Sequence, residues 1–104
     1  MAGGQEHPLH PPVTVVGRGT EADIRVNDLG VSRRHIEFQL VGGESGRGAG
    51  LQVRVRDLGS TNGMLIDGHR VTSTSLHDGS QVKIGNTTLT VRIVSEPVQG
   101  ATDV

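Results

Sequence analysis

No stretch of this chain carries a sustained 3.6-residue apolar repeat. Its apolar residues come instead in short, largely β-branched runs, cut every few residues by Gly, Asn or Asp. Residues 13–16 and 24–26 are two such runs. Over 35–40, Ile36, Phe38 and Leu40 alternate with Glu37 and Gln39; over 51–56, Leu51, Val53 and Val55 alternate with Gln52, Arg54 and Arg56. A period of two places the apolar groups on one face of an extended strand. Runs at 64–66 and 69–71 flank Asp67-Gly68, and runs at 82–84 and 87–94 flank Gly85-Asn86. Both dipeptides are two-residue hairpin signals. Seven or more short strands at this spacing predict an all-β sandwich.

The chain's 104 residues suit one domain, and its single Phe leaves the core to Val, Leu and Ile. Such a core argues against a deep aromatic-lined pocket. The 16 Gly are about twice the usual ~7%, and turn chemistry accounts for most of them, since hairpin turns need residues that tolerate positive φ. Residues 41–50, with five Gly, read as a connector between strands. The absence of Cys excludes disulfide scaffolds, thiolate metal sites and cysteine nucleophiles. A net charge of -1 argues against a generally basic nucleic-acid binder. No apolar run approaches the ~20 residues of a membrane span, and the N-terminus lacks a secretory pattern. The expectation is a cytoplasmic location without membrane insertion. Residues 1–12 read as a tail or irregular first strand, 13–94 as the domain and 95–104 as a C-terminal tail.

Several letter patterns fail on context. Gly17-Arg18-Gly19-Thr20-Glu21-Ala22 fits the dinucleotide pattern, but that pattern needs a helix at the glycines, and a strand-like run follows. Ser32, His35 and Asp57 or Asp78 supply the side chains of a hydrolase triad, yet Ser32 lies on no G-x-S-x-G elbow and nothing marks an oxyanion hole. His35 reads better as a structural histidine bonding nearby backbone, and no enzyme activity is expected. His7 and His10 are separated by a segment containing Pro8, so no metal site is expected there, nor any cofactor elsewhere. Asn86-Thr87-Thr88 matches a glycosylation acceptor without an export signal to support it.

Three segments gain meaning together. Gly17-Arg18 ends a strand, Ser32-Arg33-Arg34-His35 opens one, and Gly59-Ser60-Thr61-Asn62-Gly63 lies between strands. In a sandwich, all three can gather at one end. Arg supplies a permanently charged, bidentate fork for phosphate. Ser and Thr hydroxyls and loop amides can donate to the remaining oxygens, and Asn can read a peptide backbone. Taken singly, each segment is better explained as solvated charge or a turn; their joint occurrence reverses that preference. A sandwich that binds partners independently of phosphate stays open as an alternative. A nucleic-acid surface of Arg33, Arg34, Arg54 and Arg56 would lack the aromatic residues on which bases stack.

With these residues in order, the sequence resembles the forkhead-associated (FHA) domain family. The resemblance rests on Gly17-Arg18, Ser32-Arg33-Arg34-His35 and Ser60-Thr61-Asn62-Gly63, supported by GRGTEADIRV, GVSRRHIEF, RDLGSTNGMLIDGHRV and LHDGSQVKIG. Within the family it resembles the C-terminal FHA domain of bacterial FhaA-type signalling proteins. It implies a sandwich of about ten to eleven short, mostly antiparallel strands whose loops bind phosphothreonine peptides. Arg18 and Ser32 would contact the phosphate with Arg33 beside it. Thr61 would help hold the phosphate loop, and Asn62 would bond the peptide backbone. Gly17, His35 and Gly63 would be architectural, with His35 bracing the loops around Ser32. Arg34 falls on the other face if strand alternation extends that far, and is left out of the site. The implied partners are phosphothreonine-containing proteins, Ser/Thr protein kinases and their substrates among them. The family usually begins with a further strand before the one that ends at Gly17-Arg18; twelve Pro- and Gly-rich residues precede Val13, so that first strand is expected to be truncated, irregular or contributed by another molecule. Met64 replaces a small polar residue common in the family, and Gly30 offers no side chain in a loop that elsewhere selects peptide residues.

Overall fold

Where the sequence places Asp-Gly or Gly-Asn between β-branched runs, the backbone turns back on itself. The computed structural model describes residues 6–41 and 52–93. From residue 42 on, the expected Gly-rich connector lies outside the described residues, as does the expected tail at 95–104. The strands are β1 (Val13–Gly17), β2 (Ile24–Arg25), β3 (Ile36–Val41), β4 (Gln52–Asp57), β5 (Met64–Ile66), β6 (His69–Val71), β7 (Ser73–Leu76), β8 (Gln81–Ile84) and β9 (Thr87–Thr90). They form a five-stranded sheet, β2-β1-β3-β4-β7, and a four-stranded sheet, β6-β5-β8-β9. The β1–β2 pair is parallel; every other pair is antiparallel. The all-β sandwich is as expected, with nine strands among the described residues against the ten to eleven the family resemblance implied.

The two inner faces supply the core. Val16, Ile36, Phe38, Val53 and Val55 come from the larger sheet, and Met64, Ile66, Val82 and Ile84 from the smaller. Fully burying such a side chain contributes about 1.5–3 kcal/mol. Alternation on β4 places Val53 and Val55 inside, with Gln52 and Arg56 exposed. β3 follows the same rule with one departure, since Glu37 points to the outer face yet is buried. Arg56 Nη2 lies 3.3 Å from its carboxylate, and Gln39 Nε2 donates to it at 2.8 Å.

Both sequence-predicted hairpins form. At the β5–β6 turn, Asp67 and Gly68 have φ of 50° and 89°, the paired positive values of a type I′ turn. β7 is the strand that apolar patterning missed, because only Leu76 of its four residues is buried. Its pairing with β4 defines it. Residues 6–12 form no strand. Their backbone is tied down instead: the Thr14 hydroxyl accepts from His10 N–H and donates to His10 C=O, and Pro12 C=O accepts from Leu40 N–H.

Candidate functional site

Loop residues at one end of the sandwich are joined by backbone bonds before any side chain contributes. Arg18 N–H donates to Ser32 C=O at 2.9 Å and Gly19 N–H to Arg33 C=O at 3.0 Å, lashing the β1–β2 turn to the β2–β3 loop. A Cβ at Gly17 would sit 2.1 Å from Arg33 O and 2.9 Å from Ser32 O, so this crossing admits only glycine. Arg18 then reaches over the β2–β3 loop, its Nε donating to Val31 C=O at 2.9 Å. Its terminal nitrogens bond no other group among the described residues and remain available to a ligand.

His35, fully buried, joins the second and third loops. Ser32 N–H donates to Nδ1 at 2.9 Å, so Nδ1 is an acceptor and the ring proton sits on Nε2, which donates to Gly63 C=O at 2.7 Å. With both ring nitrogens occupied by backbone, the imidazole is not positioned as a base for Ser32. The Ser32 hydroxyl instead accepts from Thr61 N–H at 3.2 Å. Asn62 Nδ2 donates to Gly30 C=O at 2.9 Å, leaving its Oδ1 and second N–H for other partners. The Ser60 hydroxyl closes its own turn by accepting from Gly63 N–H.

The structure therefore brings Arg18, Ser32, Thr61 and Asn62 onto one continuous set of loops. Arg33 lies at its edge, with Gly19, Thr20, Glu21 and Arg34 around a small depression of ≈ 110 Å³. The condition set for Arg34, strand alternation extending to it, is not met. Residues 32–35 are not extended strand, so alternation does not reach them, and Arg33 and Arg34 are both exposed on the same depression.

Two carboxylates brace these loops in a way sequence patterning did not reveal. Asp57 accepts from Gly59 N–H and Ser60 N–H through one oxygen and from the Ser60 hydroxyl through the other. Asp28 accepts from Gly30 N–H at 2.8 Å, and from Asn86 N–H at 2.8 Å and the Thr87 hydroxyl at 2.6 Å across on the β8–β9 hairpin. The Thr87 hydroxyl, then the Gly30 and Asn86 amides, hold the Asp28 carboxyl below its ordinary 3.8. For Asp57, burial works to raise the value, but the Ser60 amide, Ser60 hydroxyl and Gly59 amide outweigh it and the net shift is downward. Asp followed two residues later by Gly was the available signal, since such carboxylates bond the backbone ahead of them. The fourth loop is pressed close as well: a Cβ at Gly85, whose φ is 60°, would meet Gly30 C at 2.9 Å.

The family model for the FHA domain matches residues 14–85, from β1 to Gly85 of the β8–β9 turn. The chain belongs to the FHA family. It is 40% identical over 82 residues to the glycogen accumulation regulator GarA of Mycolicibacterium smegmatis, covering 79% of this chain and 47% of that protein. Against the FHA domain-containing protein FhaA of Mycobacterium tuberculosis it is 33% identical over 90 residues, covering 86% of this chain and 16% of that protein. The chain thus spans about half of GarA and a small part of FhaA. A solved FHA structure from work on phosphothreonine-dependent FHA domain interactions superposes with a TM-score of 0.74 at 32% identity, covering 85% of this chain and 83% of that one. The FHA sandwich is therefore supported by both sequence and backbone.

Proposed function

We propose that this FHA domain is a phosphothreonine-dependent binding module, acting as an adaptor in Ser/Thr kinase signalling rather than as an enzyme. The observation that carries the reading is the placement of Arg18. Its Nε is tethered to Val31 C=O beside the Ser32–Thr61 crossing, and its terminal nitrogens stay unbonded among the described residues. A threonine phosphate brings about -1.5 to -2 charges near neutral pH. Arg18, the Ser32 hydroxyl and Arg33 would meet it, with Thr61 holding the loop and Asn62 bonding the peptide backbone. Gly17, His35 and Gly63 would keep the loops in register. Residues 13–94 would form the binding unit. The partners would be phosphothreonine-bearing proteins in the cytoplasm, including Ser/Thr kinases and their substrates.

Titration calorimetry with one peptide in threonine, phosphothreonine and phosphoserine forms tests this. The phosphothreonine form binds, the unphosphorylated form binds far more weakly, and Ser32→Ala abolishes measurable binding without unfolding the domain. Equal affinity for the phosphorylated and unphosphorylated forms would instead identify a phosphate-independent interaction domain.

A further inference from the structure

Asn62-Gly63 is the only Asn-Gly step in the chain. In such a step the backbone amide of the second residue can attack the side-chain amide of the first, and a glycine, having no Cβ, hinders that approach least. The other two asparagines are followed by Asp28 and by the β-branched Thr87, which crowd it. Asn62 is exposed, so water and hydroxide reach its side chain.

The fold holds both reacting groups of this step. The attacking nitrogen, Gly63 N, keeps its proton in a bond to the Ser60 hydroxyl at 2.9 Å. That hydroxyl is itself fixed, because it donates to Asp57 Oδ2 at 2.8 Å. The leaving group, Asn62 Nδ2, donates to Gly30 C=O at 2.9 Å. On the far side of the step, the buried His35 ring holds Gly63 C=O at 2.7 Å. Ring closure requires the Gly63 proton to be lost and Nδ2 to depart, so the Ser60 and Gly30 bonds must both break first. The bonds that shape the turn therefore also slow its chemistry.

We propose that Asn62 is a modification site at which the domain loses binding by spontaneous deamidation, at a rate governed by the Ser60 and Gly30 bonds. Hydroxide takes the Gly63 amide proton, Gly63 N bonds to Asn62 Cγ, and the Cγ–Nδ2 bond breaks. Nδ2 leaves as ammonia with a proton from water. Water then opens the cyclic imide. Cleavage of the new N–Cγ bond gives aspartate, and cleavage of the bond from the Asn62 carbonyl carbon to Gly63 N gives isoaspartate. The sum is amide plus water to acid plus ammonia, with no further reactant. Aspartate sets a carboxylate oxygen against Gly30 C=O in place of a donor, and isoaspartate adds a methylene to the main chain between Asn62 and Gly63. Both add negative charge beside a phosphate that itself carries about -1.5 to -2. The loss of binding rests on the phosphopeptide reading given above; the covalent step does not.

The test is mass spectrometry of the domain during incubation at physiological pH and temperature, with peptide mapping to locate the amide-to-acid change. A free peptide of residues 59–65 is the reference. The folded domain reacts roughly tenfold or more slowly than the peptide, as two hydrogen bonds require. Ser60→Ala reacts about two- to tenfold faster than wild type, the contribution of one hydrogen bond, whereas Ser60→Thr keeps the hydroxyl and the slow rate. Melting curves establish that each variant is folded during incubation, and the comparison of wild type with free peptide needs no variant. The deamidated domain, separated by ion exchange, binds a phosphothreonine peptide at least about tenfold more weakly than the intact one, as does Asn62→Asp. Wild type reacting as fast as the free peptide, a folded Ser60→Ala reacting no faster than wild type, or the change falling on another residue would overturn the site. Full binding by the deamidated domain would overturn its consequence. Failure of any phosphothreonine peptide to bind would overturn the underlying reading and that consequence, while the mass readings still decide the covalent step.

Discussion

The smaller sheet has two hairpins of equal length at opposite ends, and they obey different constraints. At Asp67-Gly68 a Cβ added to Gly68 meets nothing within 4 Å, so this glycine is asked only for positive φ. At Gly85-Asn86 a Cβ added to Gly85 would come 2.9 Å from Gly30 C, and the Asn86 amide must also reach Asp28 at 2.8 Å. The first turn reverses the chain and is tied only to the neighbouring strand, Asp67 accepting from Gln81 N–H at 3.0 Å and donating to Gln81 C=O at 2.9 Å. The second is a wall of the loop cluster and depends on partners far away in sequence. The same contrast divides the whole molecule: the core asks for apolar volume at alternate positions, whereas the loop end asks for particular donors, acceptors and bare glycines.

The largest effect expected at the loop end is on binding alone. Arg18→Ala removes charge-assisted bonds worth about 1.5–3 kcal/mol each, weakening phosphothreonine-peptide affinity by about a hundredfold or more in titration calorimetry. Its melting temperature stays close to wild type, because the side chain is exposed and returns only one bond to the fold. His35→Ala acts the other way, through stability. It leaves Ser32 N–H and Gly63 C=O without their partners inside the domain and costs about 3 kcal/mol by denaturant unfolding.

The hairpins themselves give the sharper pair. Gly85→Ala combines backbone strain with a clash against Gly30, costing about 2–3 kcal/mol and lowering peptide affinity. Gly68→Ala carries only the strain, about 1 kcal/mol, and leaves affinity unchanged. Equal costs for the two substitutions would erase the distinction drawn here. Acid gives the mildest probe. Asp28 and Asp57 have folded values depressed below 3.8, so each contributes stability that is complete above that value and is lost as pH falls through the folded one. Amide spectra recorded on lowering pH should therefore show Gly30, Gly59, Ser60 and Asn86 loosening before the core strands. Asp28→Asn should remove that early response at Gly30 and Asn86.

Much of this was legible in the sequence because it depends on neighbours. Alternation at β3 and β4 and the turn dipeptides at 67–68 and 85–86 are local signals, and they located their strands correctly. β7 was not legible, since Ser73, Thr74 and Ser75 become strand only by pairing with β4. The same limit explains Arg34, whose exposure follows from the bend that Ser32 N–H makes toward His35 rather than from strand period. Gly17 could be read as architectural only through family likeness. Its physical reason, the Arg33 carbonyl at 2.1 Å from any Cβ, is a contact between residues sixteen apart. The row of Arg70, Leu65 and Lys83 across β6, β5 and β8 is set by strand register rather than sequence spacing, and the Asp28 brace, local at Gly30, is completed only by Asn86 and Thr87 on the β8–β9 hairpin.

Amide and arginine side-chain chemical-shift mapping on titration with a phosphothreonine peptide decides whether the loop end around Arg18 is the ligand site. The Arg18 Nε–H, the Ser32 and Thr61 amides and the Asn62 side-chain amide are expected to move most, and the unphosphorylated peptide to move none of them comparably. Shifts concentrated on the outer sheet faces with these groups unmoved, or the same shifts from the unphosphorylated peptide, would contradict it.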